Sequence, residues 1–229
     1  AYAAAAAVPP PAGGPPMNDR ESMLAALRDG LRGSTAPPLP PVLPSPELPE
    51  KDRAERFITM LRQVGGACEL VKDLAAAGRR VAELLAAAGV RSLAVSDAPE
   101  LSSVLAALPP TIRVHGPDQD RTTLLAADCG LSTAQAGIAE TGTLVLVAAD
   151  ERHRLCSLLP PRHLVLLPCS RLCASLGAAL ASLSAADGRP RSPTITFVTG
   201  PSRTADIELE LVIGVHGPRH LHVLLIELP

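Results

Sequence analysis

The sequence predicts an α/β fold: an open, mainly parallel sheet flanked by helices. From residue 51 onward, short apolar runs alternate with longer amphipathic stretches, which is typical of strands alternating with helices. The chain has 229 residues, of which 47% are hydrophobic, enough to bury the core of one such domain. Together these observations favour a doubly wound, Rossmann-like sheet.

Helical periodicity places two helices at the start of this domain. Phe57, Leu61 and Val64 fall on one face of the first helix. The second helix ends at Gly89, as a glycine at a helix C-terminus indicates. Its apolar face consists of Ala77, Val81, Leu84, Leu85 and Ala88.

Short apolar runs predict the strands of the sheet. They are Leu93 to Val95, Ile112 to Val114, Leu144 to Val147, Leu164 to Leu167, Ile195 to Val198 and Leu221 to Leu228. A helix carrying Leu172, Leu176, Leu180 and Leu183 is expected between the fourth and fifth of these strands.

The residues before this domain differ from it in composition. Residues 1–16, AYAAAAAVPPPAGGPP, are expected to form a disordered extension, and they have the features of neither a signal peptide nor a transmembrane helix. Residues 17–50 are expected to form a helix followed by a proline-rich linker. Residues 51–229 make up the α/β domain.

Charge and cysteine content restrict the function. A formal net charge of -2 gives no reason to expect nucleic acid or an anionic membrane as a partner. The five cysteines form no CxxC pair, so the sequence predicts neither a zinc site nor an iron-sulfur cluster in this chain. No motif for flavin or nicotinamide is present, so no cofactor is expected in this chain. An odd number of cysteines without a signal peptide indicates the cytoplasm. The sequence is compatible with a homo-oligomer.

The first candidate segment is AGIAETGTLVLVA, residues 136–148. Glu140, Thr141 and Thr143 surround Gly142 directly before an apolar strand. A carboxylate beside two hydroxyls can bind a polar ligand, act as a base or attack an activated acyl group. A tight turn whose hydroxyls satisfy their own backbone explains the pattern equally well.

The second candidate segment is TGPSRTADIELELVIGVHGP, residues 199–218. Gly200 is followed by Ser202, Arg203 and Thr204, and a helix start here with two hydroxyls and a guanidinium would bind a carboxylate or phosphate. The alternative is that Asp206 and Glu208 simply pair with Arg203 and fix the turn. The segment has neither a Walker lysine nor a GxGxxG pattern.

Three histidines lie close together at the end of this segment. His216 stands in GVHGP, before Gly217, where it could orient a substrate or exchange a proton. His220 and His222 follow on one face of the predicted last strand, with no acidic residue between them, so no metal site is predicted.

Four blocks, GIAETGTLVL, SLLPPRHLVLLP, TGPSRTADIE and GVHGPRHLHVLLIE, resemble in this order those of the lactate utilization protein C family and the wider LUD domain. The resemblance covers residues 50–229. It implies a fold similar to ribose-phosphate isomerases, glucosamine-phosphate isomerases and coenzyme A transferases. It also implies a role in oxidising L-lactate to pyruvate with two iron-sulfur partner proteins.

The resemblance also implies roles for individual residues. A loop glutamate attacks the acyl group in coenzyme A transferases, and Glu140 is similarly placed in the sequence, although fold analogy is weak support for chemistry. The first hypothesis is a subunit that binds a small carboxylate or phosphorylated ligand, with Arg203 holding the anion. The second is an independent isomerase or acyl-transfer enzyme with Glu140 as base or nucleophile. A third is a noncatalytic scaffold. Whether the chain is itself an enzyme stays open.

Overall fold

The computed structural model describes residues 19–33, 48–152, 154–183, 192, 194–205 and 211–227. The chain divides into two compact units, residues 1–44 and 45–229. In the first unit, helix α1 spans Asp19–Gly30, with acidic residues in its first turn and Arg28 in its last, which suits the helix dipole. The predicted extension and most of the proline-rich linker lie outside the described residues.

The second unit holds the remaining helices. They are α2 Glu50–Gln63, α3 Leu74–Ala87, α4 Leu101–Leu105, α5 Arg121–Leu125, α6 Arg154–Leu158 and α7 Leu176–Leu183, with a 3-10 turn at Cys169–Arg171. The two predicted helices are α2 and α3. Helix α2 buries Phe57 and Leu61. Helix α3 begins after Asp73, whose carboxylate accepts a hydrogen bond from the Ala76 N–H at 2.7 Å.

Twelve strands are found in the described residues. They are β1 Ala67–Val71, β2 Ser92–Val95, β3 Arg113–His115, β4 Cys129–Thr133, β5 Ala136–Ile138, β6 Thr143–Val147, β7 Arg162–Pro168, β8 Leu172–Cys173, β9 Ile195–Val198, β10 Arg203–Ala205, β11 Leu211–Ile213 and β12 His220–Ile226. Six of them form a sheet in the order β1-β12-β7-β4-β2-β3, and every neighbouring pair is parallel. The α/β fold with a parallel sheet is confirmed.

The single sheet expected from the sequence is only part of the architecture. Strands β8, β5, β6 and β9 form a separate four-stranded mixed sheet, and β10 pairs with β11 in an antiparallel ladder. Two predicted strands, β6 and β9, therefore belong to the mixed sheet. Leu172 lies in β8 and not in the helix predicted to carry it, which begins at Leu176.

The parallel sheet separates two layers of core. Helices α3 and α4 cover one face, where Val81, Leu93 and Leu131 are among the buried residues. The other face is covered by α2 and the mixed sheet, where Phe57 and Leu144 pack against strands β7 and β12. A strand sandwiched in this way is apolar on both sides, which explains why continuous apolar runs identify β7 and β12 in the sequence.

The loops before β1, β7 and β12 share the amino-terminal edge of the parallel sheet. His220 pairs with Arg162 at the starts of β12 and β7, and Ala67 at the start of β1 pairs with His222. The segment GVHGP directly precedes β12 and therefore lies at this edge. Within the described ranges, no helix is both long and apolar enough to cross a membrane.

Candidate functional site

The GPSR and GVHGP segments are held together by backbone hydrogen bonds. The Ser202 N–H donates to the Pro218 carbonyl, and the Gly214 N–H donates to the Ser202 carbonyl, both at 2.9 Å. Arg203–Ala205 forms strand β10, so the helix start predicted here, with free N–H groups for an anion, was wrong. The Ser202 N–H is used to position the GVHGP loop.

The ETGT turn joins the same region through its hydroxyls. Thr141 Oγ1 lies 2.6 Å from Thr143 Oγ1, which in turn lies 2.8 Å from Thr199 Oγ1. Thr199 directly precedes Gly200, so this chain of hydroxyls connects the first predicted segment to the second. The hydroxyls of the turn thus bond one another and connect the two segments, and the binding of a ligand by this turn stays a prediction.

Two glycines of these segments lie directly against helix α2. A Cβ on Gly142, whose φ is +67°, would lie 2.3 Å from the Leu61 nitrogen. A Cβ on Gly200, whose φ is +89°, would lie 2.8 Å from the Val64 carbonyl oxygen. No other residue type can bring the backbone this close in a left-handed conformation.

Arg203 stabilises the end of helix α2. Its Nη2 donates a hydrogen bond of 2.6 Å to the carbonyl oxygen of Val64, the residue that follows the last turn of α2. Carbonyl groups at a helix C-terminus have no partner within the helix, and a guanidinium is well suited to satisfy them. The described contact of Arg203 is therefore structural, which differs from the anion-holding role expected from the sequence.

A cavity of about 270 Å³ lies beside these segments. We call it the motif cavity, because four of the predicted residues, Gly200, Ser202, His216 and Gly217, line it. Its other lining residues are Ser157, Leu158, His163, Thr196, Phe197, Val198, Thr199, Pro201, Pro218 and Leu221. Glu140, Thr141, Gly142, Thr143, Arg203 and Thr204 are not among the lining residues, and Asp206 lies outside the described residues.

His163 is a cavity residue that sequence reasoning missed. It lies on β7, is 1% exposed, and its Nε2 is 2.9 Å from the hydroxyl of Ser132, which is fully buried on β4. A buried histidine needs hydrogen-bonding partners, and Ser132 supplies one that is distant in sequence. The sequence feature that could have identified His163 is a single histidine at the start of the apolar run RHLVLLP.

Glu151 forms a second polar centre that was not predicted, at the opposite, carboxyl-terminal edge of the sheet. This buried carboxylate accepts hydrogen bonds from the Ser96 hydroxyl, from the Thr133 N–H at 2.8 Å and from Gln135 Nε2 at 2.7 Å. Ser96 follows β2 and Thr133 ends β4, and the chain leaves these neighbouring strands in opposite directions across the sheet. Sheets of this kind often bind ligands where the chain changes direction in this way. Here, however, several hydrogen-bond donors already engage the Glu151 carboxylate.

The cysteines and the remaining histidines show the effects of burial. Burial raises the pKa of Cys68 and of Cys129 to about 12, so both are neutral thiols at physiological pH. Burial also lowers the pKa of His222 against the opposing effect of Glu69, whose Oε1 lies 3.0 Å from His222 Nε2. The described residues contain no group of three or more His, Cys, Asp or Glu side chains arranged to hold a metal ion.

The fold and the site together define a parallel-sheet α/β protein with a cavity at the amino-terminal edge of its sheet, lined by polar and apolar residues from sequence-distant segments. The model of one family, described as the LUD domain, matches residues 54–226, which is more than half of the chain. The chain belongs to the LUD domain family, and the resemblance noted in the sequence is confirmed.

Curated relatives carry a more specific name. Lactate utilization protein C of Exiguobacterium sp. is 36% identical over 112 residues, covering 48% of this chain and 49% of that protein. Lactate utilization protein C of Shouchella clausii is 40% identical over 93 residues, covering 40% of this chain and 41% of that protein. Each match thus spans no more than about half the length of the relative.

A solved structure has a similar fold. A DUF162 family protein from Deinococcus radiodurans superimposes with a TM-score of 0.59 over 79% of this chain and 99% of that chain. The sequence identity is 23%, so the similarity concerns the fold alone.

Proposed function

We propose that this chain works in lactate utilization as a cytoplasmic subunit that binds a small carboxylate in the motif cavity. Two iron-sulfur proteins would act with it in the oxidation of L-lactate to pyruvate. The family assignment and the names of the curated relatives support the role in lactate utilization. The binding of a carboxylate and the partners are proposals that go beyond those names.

The observation that carries the proposal is that segments far apart in sequence meet around one cavity. His216 and Ser202 come from the second candidate segment and His163 from β7, and all three line the cavity. Imidazole and hydroxyl groups can donate hydrogen bonds to a carboxylate, while Leu158, Phe197 and Leu221 supply the apolar wall common in ligand pockets.

The proposal divides the chemistry between subunits. Oxidation of a 2-hydroxy acid to a 2-oxo acid releases two electrons and two protons. Electron transfer is assigned to clusters in the partner proteins. The residues of this chain would bind and orient the acid, with His216 accepting one of the two protons and water the other.

The motif cavity gives less support to an independent acyl-transfer or isomerase reaction. Such a reaction would use Glu140 as nucleophile or base, and Glu140 is not among the residues that line the cavity. Glu140→Gln should therefore leave ligand binding in the cavity unchanged.

Calorimetric titration of the purified chain with L-lactate and pyruvate tests the binding step. We expect His216→Gln and Ser202→Ala each to weaken binding about tenfold, the effect of losing one hydrogen bond to a charged group. His115→Gln is the matched control, because His115 lies on β3 and outside the cavity lining. Equal affinity of all four proteins would contradict binding in the motif cavity.

The role in a complex needs a separate test. The chain should be purified at natural abundance from lactate-grown cells, and each fraction tested for lactate-dependent dye reduction. Co-purification of the activity with two cysteine-rich iron-sulfur proteins would support the subunit role. Purification of the chain alone would contradict it, and would direct the search to sugar phosphates and acyl-coenzyme A esters as substrates.

A further inference from the structure

A second cavity, of about 500 Å³, adjoins the motif cavity. His216, Gly217 and Leu158 line both. The larger cavity opens between helix α5, helix α6 and the GVHGP loop, and Arg121 and Arg219 line it, so we call it the arginine cavity. The function proposed above makes no use of it.

The arginine cavity is lined by cationic groups without an opposing carboxylate. Arg121 and Arg219 contribute two positive charges and His216 an imidazole, while no aspartate or glutamate is found among the described residues of the lining. Neither guanidinium forms a hydrogen bond or an ion pair with any described residue. The positive charge of the two arginines is therefore not offset within the described part of the cavity.

The side chain of Arg219 is placed by the backbone beneath it. A Cβ on Gly214 would lie 2.0 Å from Arg219 Cγ, and Gly214 has a φ of +81°. The aliphatic part of Arg219 thus packs on the bare backbone of Gly214. Arg219 as a whole is exposed.

The walls of the same cavity are apolar and accessible. Leu125 is 58% exposed, Val215 53% and Leu158 40%, and all three line the cavity with the arginines. Exposed apolar groups that line a concave surface mark ligand or partner sites. The combination of two guanidinium groups with apolar walls matches a ligand that has both an anionic and an apolar part.

We propose that the arginine cavity binds an organic anion that carries an apolar group, such as a phosphate or sulfate monoester of a hydrophobic alcohol. The anionic group lies between Arg121 and Arg219, where bidentate hydrogen bonds are available to its oxygens. The apolar group packs against Leu125 and Val215. This inference does not rest on the function proposed for the motif cavity, because Arg121, Arg219, Leu125 and Val215 line the arginine cavity and not the motif cavity, although His216 lines both.

Fluorescence titration of the full chain with anilinonaphthalene sulfonate, an apolar sulfonate, tests the proposal. We expect binding that butyl phosphate displaces at lower concentration than inorganic phosphate. The double change Arg121→Gln with Arg219→Gln should weaken dye binding at least about tenfold, and Leu125→Ser should weaken it by a smaller factor. Arg79→Gln, on the exposed surface of α3, removes one positive charge outside the cavity and should have no effect.

Three results would overturn the proposal. The first is equal dye affinity in the double variant and in Arg79→Gln. The second is loss of dye binding in Leu125→Ser but not in the double variant, which would show an apolar site without anion recognition. The third combines two observations: the double variant binds the dye as the wild-type protein does, but it no longer co-purifies with proteins that accompany the wild-type chain from cells. This result would assign the arginines to a partner interface.

Discussion

Gly142 lies where the ETGT turn meets helix α2, and its missing side chain allows this contact. A Cβ would lie 2.3 Å from the Leu61 nitrogen, and its φ of +67° is unfavourable for other residues. We expect Gly142→Ala to lower the free energy of unfolding by about 3 kcal/mol, through backbone strain and displacement of the helix. Urea unfolding measures this change.

Gly89 provides the matched control for this substitution. Its φ is +65°, but a Cβ there would meet nothing within 4 Å. Gly89→Ala should therefore cost only the backbone strain, about 1 kcal/mol. Equal destabilisation by the two substitutions would show that the contact with α2 has no energetic importance.

Arg203 allows the structural and ligand-binding interpretations to be separated. Because its Nη2 donates to the Val64 carbonyl, Arg203→Met should lower the free energy of unfolding by about 1 kcal/mol and leave the affinity for L-lactate unchanged. Calorimetric titration and urea unfolding of the same variant measure both quantities. A large loss of affinity without a loss of stability would support the anion-binding role.

Sequence reasoning found the segments of the site but not all of its residues. Ser202 and His216 were predicted because they lie in a polar, glycine-containing segment at the junctions of predicted strands. The contact of Arg203 with Val64 was not predictable from local pattern, because the two residues are 139 positions apart. His163 was missed for the same reason, since its partner Ser132 is on another strand.

At the scale of secondary-structure elements, His222 on β12 and Glu69 on β1 link neighbouring strands. Burial lowers the pKa of His222, so protonation favours the unfolded chain, and its contribution to stability is lost as the pH falls below about 6.5. The pKa of Glu69 is lowered by the hydrogen bonds from Arg80, so its contribution is lost only below the ordinary range of a carboxyl group, at more acidic pH.

The stability advantage of the wild-type protein over His222→Gln should therefore shrink between pH 7.5 and pH 5.5, an interval of about two units around the ordinary histidine pKa. Urea unfolding at several pH values measures it. His220→Gln, at an exposed position of the same strand, is the control. An advantage that is constant or grows toward acidic pH would contradict the role of buried His222.

The elements that the sequence did not predict have a common physical cause. Strand β4, with the sequence CGLST, is entirely buried, although two of its five residues, Ser132 and Thr133, are polar. Ser132 bonds His163 and Thr133 bonds Glu151, so the partners that make burial favourable lie outside the strand. Strand β5 has only three residues, too few for a pattern to appear.

At the scale of the whole molecule, the buried core belongs to the second unit. All the buried apolar residues found in the described part of the chain lie between Phe57 and Ile226, and the family model matches residues 54–226. We expect deletion of residues 1–44 to change the free energy of unfolding of the remaining unit by less than about 0.5 kcal/mol. Urea unfolding of the two forms measures the difference, and a larger loss would show that the first unit contributes to the core.

The order of strands in the parallel sheet has a consequence for synthesis. Strand β1 pairs with β12, which in turn pairs with β7, so the first strand reaches the sheet only through the last. During synthesis on the ribosome, helix α2 and β1 emerge early. Their apolar side chains, such as that of Cys68, stay exposed to solvent until β12 has been synthesised. A nascent chain released before residue 220 would lack the strand that joins β1 to the rest of the sheet, and would be a substrate for chaperones and proteases.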